Sequence, residues 1–171
     1  NRITSTFDKA SEKSEIGYYS VLLNDFGIKA ELTSSLRAGF HKYTFPKSDD
    51  ASIVIDLQHT VKSHKNKELA IKVISDTEIE GMKRSSGWAV DQVVYFYAKF
   101  SKPFSLELVV NGKIKPELKK ADNEKNLRAK LSFDTEEGEV VMAKVGISSV
   151  SCEGAKKNVE TEIKEWDFDS V

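Results

Sequence analysis

The stretch GYYSVLLNDFGIKAELTSSLRAGFHKYTFP, Gly17 to Pro46, reads as three strands in a row. Tyr18 to Leu23 is a run of β-favouring residues that breaks at Asn24-Asp25-Phe26-Gly27. Ile28, Ala30 and Leu32 then alternate with Lys29, Glu31 and Thr33, the period of a strand with one face buried. After Ser34-Ser35, Ala38 to Phe45 forms a third run, closed by Pro46, which has no N–H to give to a ladder. Three antiparallel strands joined by short turns make a meander, and this pattern predicts an all-β fold.

Downstream, the same signals recur. Ala51 to Leu57 places Ile53, Ile55 and Leu57 on one face, and Leu69 to Ile74 and Glu78 to Met82 are two further strands joined by Ser75-Asp76-Thr77. Lys83-Arg84-Ser85-Ser86-Gly87 reads as a loop leading to Trp88. Val93 to Phe100 is apolar on both faces, as expected of a central strand covered on each side. Leu106 to Val110 meets Asn111-Gly112, a strong hairpin signal because both positions of that turn need positive φ. Residues 115–126 are charged and read as an exposed loop; Leu127 to Phe133 and Val140 to Ile147 are strands around a turn at Glu137-Gly138. Upstream of the meander, Asp8 to Glu15 reads as a loop or a short helical turn.

A helix is predicted only near the end, with Ser151 as N-cap, Glu153 in the first turn, and Ala155, Val159 and Ile163 at spacings of four. About ten short strands and one late helix argue for a multi-strand antiparallel β-sandwich.

Composition bounds the function. With 171 residues the chain is expected to be one domain, burying roughly 70% of its unfolded surface. Against 27 acidic residues stand 26 Lys and Arg, so nothing biases the surface towards nucleic acid or an anionic membrane. No apolar run approaches the ~20 residues of a membrane span, and Asn1-Arg2-Ile3-Thr4-Ser5-Thr6 lacks the pattern of a signal peptide. The start at Asn1 rather than Met reads as a piece of a longer polypeptide, and the single Cys152 has no internal disulfide partner. His59 and His64 have no Cys or carboxylate cluster beside them in sequence, so a solvated loop is favoured there over a metal site.

Several blocks together carry a more specific signal: Gly17-Tyr18-Tyr19-x-Val21, Ala30-Glu31-Leu32-Thr33, Arg37, Gly39-x-His41 and Tyr43-Thr44-Phe45-Pro46. They are followed in order by Ile79-x-Gly81, Gly87-Trp88-Ala89, Tyr95-Phe96, Phe100-Ser101-Lys102-Pro103-Phe104, Val145-Gly146-Ile147-Ser148, Asn158 and Trp166-Asp167-Phe168-Asp169. In this the chain resembles the N-terminal domain of glycoside hydrolase family 92, exo-acting, calcium-dependent α-mannosidases. Phe7 and Glu12 match a Phe-Ser-His-x-x-Glu pattern of that family, whereas Asp8, Lys9 and Ile16 stand where Ser, His and Pro are usual.

The resemblance implies a sandwich of the galactose-mutarotase-like supersandwich type over residues 1–165, lacking its first strands. Residues 166–171 would then begin the linker to an absent (α/α)6 catalytic domain. It implies an accessory domain forming one wall of the pocket of an inverting α-mannosidase, of the α-1,2-mannosidase kind, inactive alone. The acid, the base and the calcium would sit in the helical domain, so no catalytic residue, metal ligand or cofactor is assigned within these residues. The implied partners are that helical domain and mannose-containing glycans, with neither nucleic acid nor a membrane span, and the implied location is periplasmic or extracellular, in a bacterium. A stand-alone carbohydrate-binding module is the alternative, against which most of the nine Phe, five Tyr and two Trp fall inside strand patterns.

Two residues are candidates for substrate binding. Trp88 offers a flat apolar face for a sugar and an N–H for a hydroxyl, weighed against a core or edge tryptophan. Glu12 offers a carboxylate to a sugar hydroxyl, or a brace for a loop. Arg37 and His41 are expected to satisfy buried carbonyls and Arg84 to be a solvated loop residue. The helix from Cys152 onward, with Trp166 and Phe168, is expected at the edge where the helical domain docks.

Overall fold

The computed structural model describes residues 4–61 and 63–171; Asn1-Arg2-Ile3 at the polar start and Lys62 in the 58–66 connection lie outside them. A 3-10 turn at Lys9–Ser11, capped by the Asp8 carboxylate, precedes β1 (Lys13–Glu15), where a loop or helical turn was expected over Asp8 to Glu15. The meander follows as β2 (Tyr18–Leu23), β3 (Ile28–Ser34) and β4 (Ala38–Phe45), each paired antiparallel with the next. Then come β5 (Ser48–Asp56), β6 (Lys65–Val73), β7 (Glu78–Ser86), β8 (Gln92–Phe100), β9 (Ser105–Val110) and β10 (Lys113–Lys115). The last strands are β11 (Lys120–Glu124), β12 (Leu127–Thr135) and β13 (Glu139–Ser148), ahead of α1 (Cys152–Glu162) and a 3-10 turn at Phe168–Ser170.

These strands form two antiparallel sheets, one of nine strands in the order β1-β2-β3-β4-β13-β8-β7-β6-β11 and one of four in the order β10-β9-β12-β5. Between them lies a core whose fully covered side chains include Leu69, Ile71, Ile79, Leu108, Leu127 and Leu131. Phe100, Phe104 and Phe133 meet there edge to face or tilted, at centroid separations of 5.4 to 6.4 Å. The expected sandwich is present.

On its outer face the large sheet carries α1. The Ser151 hydroxyl accepts a hydrogen bond from the Gly154 N–H at 3.0 Å, and Ala155, Val159 and Ile163 are buried against Phe40 and Tyr97. β8 is therefore covered by the small sheet on one side and by the helix on the other, which explains its unbroken apolar run. Gly146 in β13 sets the approach, because a Cβ there would lie 2.1 Å from the Ala155 carbonyl oxygen. Phe168 is 7% exposed and folds back on Phe40 at 5.4 Å, while Trp166 lies 5.9 Å from Phe40 beneath the Lys144 ammonium. The apolar side of α1 and Phe168 are thus spent inside this chain, which corrects the expectation that they line a docking edge.

Two expected loops are strands. β7 continues through Lys83, Arg84, Ser85 and Ser86, since each has a partner in β6, β8 or both; the completed main-chain ladder outweighs the poor strand propensity of Lys and Ser. Residues 120–124 of the charged 115–126 segment pair with β6 as β11, interrupted by a bulge where Asn123 takes φ 55°. The Asn111-Gly112 hairpin is as expected, with φ 50° and 79°.

Candidate functional site

The two ends of the nine-stranded sheet differ in chemistry. Registers such as Glu15 with Tyr18, Ser34 with Gly39, Gly146 with Ala38, Ser148 with Tyr95, Ser85 with Gln92 and Lys65 with Ser86 bring five connections to one end. These are the β1–β2, β3–β4 and β7–β8 turns, the lead into α1, and the loop entering β6. At their tips stand Ile16, Leu36, Val61, Trp88, Val90 and Val150. Val61 is 63% exposed and the other five more so, while every large apolar residue elsewhere among the described residues is 57% exposed or less. The opposite end is built from polar turns such as Asn24-Asp25, Ser75-Asp76, Ser101-Lys102 and Glu136-Glu137-Gly138.

Trp88 stands on the β7–β8 turn of this apolar end, 98% exposed, so the core reading of it fails. Its turn is braced from three directions. Arg84 grips Asp91 across the base of the turn, Nε to Oδ1 at 2.9 Å and Nη2 to Oδ2 at 2.6 Å. That hydrogen-bonded guanidinium holds the Asp91 carboxyl down at about 2. Lys67 of β6 donates to the Val90 carbonyl at 2.7 Å, and the Trp88 N–H donates to His64 Nε2 at 3.4 Å. The His64 ring fills the space beside Gly87, where a Cβ would fall 2.1 Å from Cδ2. The indole is therefore carried outward on a fixed turn, with its face free. Arg84, expected to be a solvated loop residue, is instead the strand residue that fixes this turn.

Glu12 sits elsewhere. Its carboxylate accepts a hydrogen bond from the Tyr19 hydroxyl at 2.8 Å, which pushes the Tyr19 ionisation up. It flanks β2 near the β1 edge, whereas Trp88 joins β7 to β8. Five strand spacings of ~4.8 Å separate β1 from β8, about 24 Å along the sheet, so the two residues do not share one monosaccharide.

Arg37 lies in the β3–β4 turn and its Nε pairs with the Glu162 carboxylate of α1 at 2.6 Å. His41 Nδ1 is 2.8 Å from the Tyr43 hydroxyl; burial lowers the His41 ionisation and raises that of Tyr43 to about 12. Both were expected to serve buried carbonyls; their partners are instead a carboxylate and a phenol. Among the described residues no three of His, Cys, Asp and Glu gather as a metal site, so nothing here fits the calcium that the resemblance implies. A shallow groove at the polar end, lined in part by Lys47, Lys102, Asp49, Asp134, Glu136 and Glu139, has both of its lysines engaged in ion pairs: Lys47 lies 2.9 Å from Glu136 and Lys102 contacts Glu139. No helix among the described residues is long and apolar enough to cross a membrane.

Sequence reasoning found Trp88 but missed the five aliphatic tips around it and the Arg84, Lys67 and His64 brace. The available signal was a large apolar residue at successive turn positions, where Gly, Ser or Asn is the usual choice.

Residues 1–148 match the glycosyl hydrolase family 92 N-terminal domain. No curated protein sequence matches. Among solved structures, a family GH92 α-mannosidase from Bacteroides thetaiotaomicron superposes with a TM-score of 0.91 at 37% identity, over 97% of this chain and 23% of the other. The same mannosidase in complex with mannoimidazole gives 0.86 at 38%, over 91% and 21%. A family GH92 inverting mannosidase from Bacteroides thetaiotaomicron VPI-5482 gives 0.81 at 22%, over 94% and 21%, a likeness of fold. The chain thus spans about a quarter of the length of the solved structures it matches.

Proposed function

Because the chain belongs to glycosyl hydrolase family 92, as its N-terminal domain, we propose that it forms one wall of the substrate pocket of an α-mannosidase, with α-1,2-linked mannosides as the substrate class. The observation that carries this reading is the apolar end of the large sheet: six outward-pointing apolar tips along it, one of them the braced and 98% exposed Trp88. A monomer rarely leaves so much apolar surface on one side without a partner. The partner in this reading is the remainder of a longer polypeptide, a helical catalytic domain reached from residues 166–171, which covers Ile16, Leu36 and Val150 and leaves the Trp88 indole facing the sugar.

In that arrangement the indole face takes the apolar C–H side of a mannose ring and its N–H a hydroxyl, which fixes the ring's orientation. The Arg84 and His64 contacts spare the turn the entropy of ordering at binding. Inverting hydrolysis needs an acid and a base roughly 6.5–9.5 Å apart around that ring. In this proposal both belong to the helical domain, as does the calcium, and the enzyme works in the periplasm or outside the cell.

The test is complementation. The 171-residue chain, incubated with an aryl α-mannoside and calcium, is expected to give no turnover alone and to give turnover when mixed with a separately expressed helical domain. The mixture should cleave α-1,2-mannobiose faster than the α-1,3 and α-1,6 isomers. Turnover by the chain alone, abolished by a carboxylate substitution within it, overturns the proposal.

A further inference from the structure

We infer that His64 is a proton-sensitive positioning residue: its neutral imidazole holds the Trp88 turn in place, and protonation of the ring releases it. What this means for a sugar rests on the proposed role of Trp88; the movement of the turn does not.

The scaffold fixes the ring before the turn meets it. His64 belongs to the connection between β5 and β6, residues 57–64, which is tied at both ends. The Asp56 carboxylate accepts from the Gln58 and His59 N–H groups at 3.0 and 3.1 Å. The Lys83 ammonium donates to the Leu57 carbonyl at 2.9 Å and to the His59 carbonyl. Beyond His64, Asn66 Nδ2 donates to the Gln58 carbonyl at 2.9 Å. The half-buried ring occupies the place of a side chain at Gly87, where a Cβ would fall 2.1 to 2.4 Å from three of its atoms. Its Nε2 accepts the Trp88 N–H at 3.4 Å, which requires a lone pair on that nitrogen and the ring proton on Nδ1.

An imidazolium has no such lone pair. With a proton on each nitrogen, Nε2–H and the Trp88 N–H are two donors aimed at each other, and the amide loses its acceptor. The ring has to turn away, and the space beside Gly87 is left unfilled.

The other two braces hold where this one lets go. Histidine is the side chain whose charge changes between about pH 5 and 8. The Asp91 carboxyl, held at about 2 by Arg84, stays ionised across that range, and the Lys67 ammonium on the Val90 carbonyl has no further proton to take. The charged groups on the elements around the ring are Asp56 of β5, Lys65, Lys67 and Glu68 of β6, Lys83 and Arg84 of β7, and Asp91 of the turn, with His59 in the same connection and Lys125 beside Lys67. Asp91 is taken by Arg84 and Lys67, Asp56 by Arg128, and Glu68 faces Arg84. Among the described residues no carboxylate pairs with His64 to replace the lost bond. In acid the turn therefore keeps its base at Arg84 and Asp91 but not its hold on Trp88, and the indole ranges more widely.

Nuclear magnetic resonance on the 171-residue chain tests the movement, with the His64 ring and the Trp88 amide followed from about pH 8 to 5. The Trp88 amide should shift with the midpoint of the His64 titration. Corrected for intrinsic pH dependence, its exchange with water should be about two- to tenfold faster in the acid form, the loss of one hydrogen bond. His64→Gln offers an acceptor that takes no proton in this range, and its Trp88 amide should stay still. His64→Phe fills the space beside Gly87 without an acceptor and should show the acid behaviour throughout. A Trp88 amide that ignores the His64 titration, or shifts as much in His64→Gln, overturns the inference. Should His64→Phe not fold, the unaltered chain and His64→Gln decide.

On the full-length enzyme, KM for an α-mannoside should rise about two- to tenfold from neutral to acid pH relative to His64→Gln, with superposed kcat profiles. An amide that moves while the KM profiles superpose upholds the release of the turn and removes Trp88 from the sugar.

Discussion

Arg84 on β7 and Asp91, the last residue of the five-residue connection that carries Trp88 to β8, are joined by two hydrogen bonds of 2.9 and 2.6 Å. The guanidinium fork matches the carboxylate geometry, so the pair fixes the width of the turn as well as its charge. Both groups are open to solvent, and the pair acts on the position of the indole more than on the stability of the fold.

The Asp91 carboxyl is held at about 2, below its ordinary value of 3.8. A lowered carboxylate contributes above its unfolded value and loses that contribution as the pH falls towards the folded one, here between about 4 and 2. Following the Asp91 carboxyl carbon by NMR, the midpoint should lie near 2, and in Arg84→Ala it should return towards ~3.9. A midpoint near 4 in the unaltered chain contradicts the clamp.

Trp88→Ala in the full-length enzyme should lower kcat/KM roughly ten- to a hundredfold, the loss of an aromatic contact worth about 1–3 kcal/mol, and leave Tm nearly unchanged because the ring packs on nothing within this chain. Unchanged kinetics with a lowered Tm would place its role in folding.

Leu36→Ser and Val150→Ser combined should leave the unfolding midpoint of the isolated chain within about 0.5 kcal/mol of the original, since both residues are solvent-facing at 88% and 78%. Titration calorimetry against the helical domain should show at least a tenfold weaker Kd. Equal affinity would move the docking surface elsewhere.

Gly146→Ala should be costly although it adds one methyl. The new Cβ meets backbone, the Ala155 carbonyl oxygen at 2.1 Å, so α1 must shift. Overpacking of this kind costs roughly 1–3 kcal/mol, to be read from urea unfolding.

Much of the fold was legible because strand pattern and burial coincide. The Gly17 to Pro46 meander, the Asn111-Gly112 hairpin and the α1 cap each follow from local chemistry. The errors at Lys83 to Ser86 and at Lys120 to Glu124 share one cause: these residues are strands because neighbouring strands on the sheet complete their ladders, and a single sequence window does not contain those neighbours. At the site, the Gly-Trp-Ala turn was visible but its setting was not. His64 and Lys67 reach Trp88 and Val90 from 24 and 23 residues away, and the six apolar tips become one surface only through the sheet order. Likewise the gap between Glu12 and Trp88 is a property of strand order.

Of the connections at the apolar end, β1–β2, β3–β4 and β7–β8 each join strands that are neighbours in the sheet, while the ladder and the buried faces carry the stability. Each tip is thus a separate exchangeable part. Replacing Ile16, Leu36, Trp88 or Val90 removes no core contact, so under the proposed function variation at these positions tells only where they meet the helical domain or the sugar. In the proposed arrangement the fit to each would drift independently of the other and of the scaffold, and a turn transplanted from a relative should bring its preference with it.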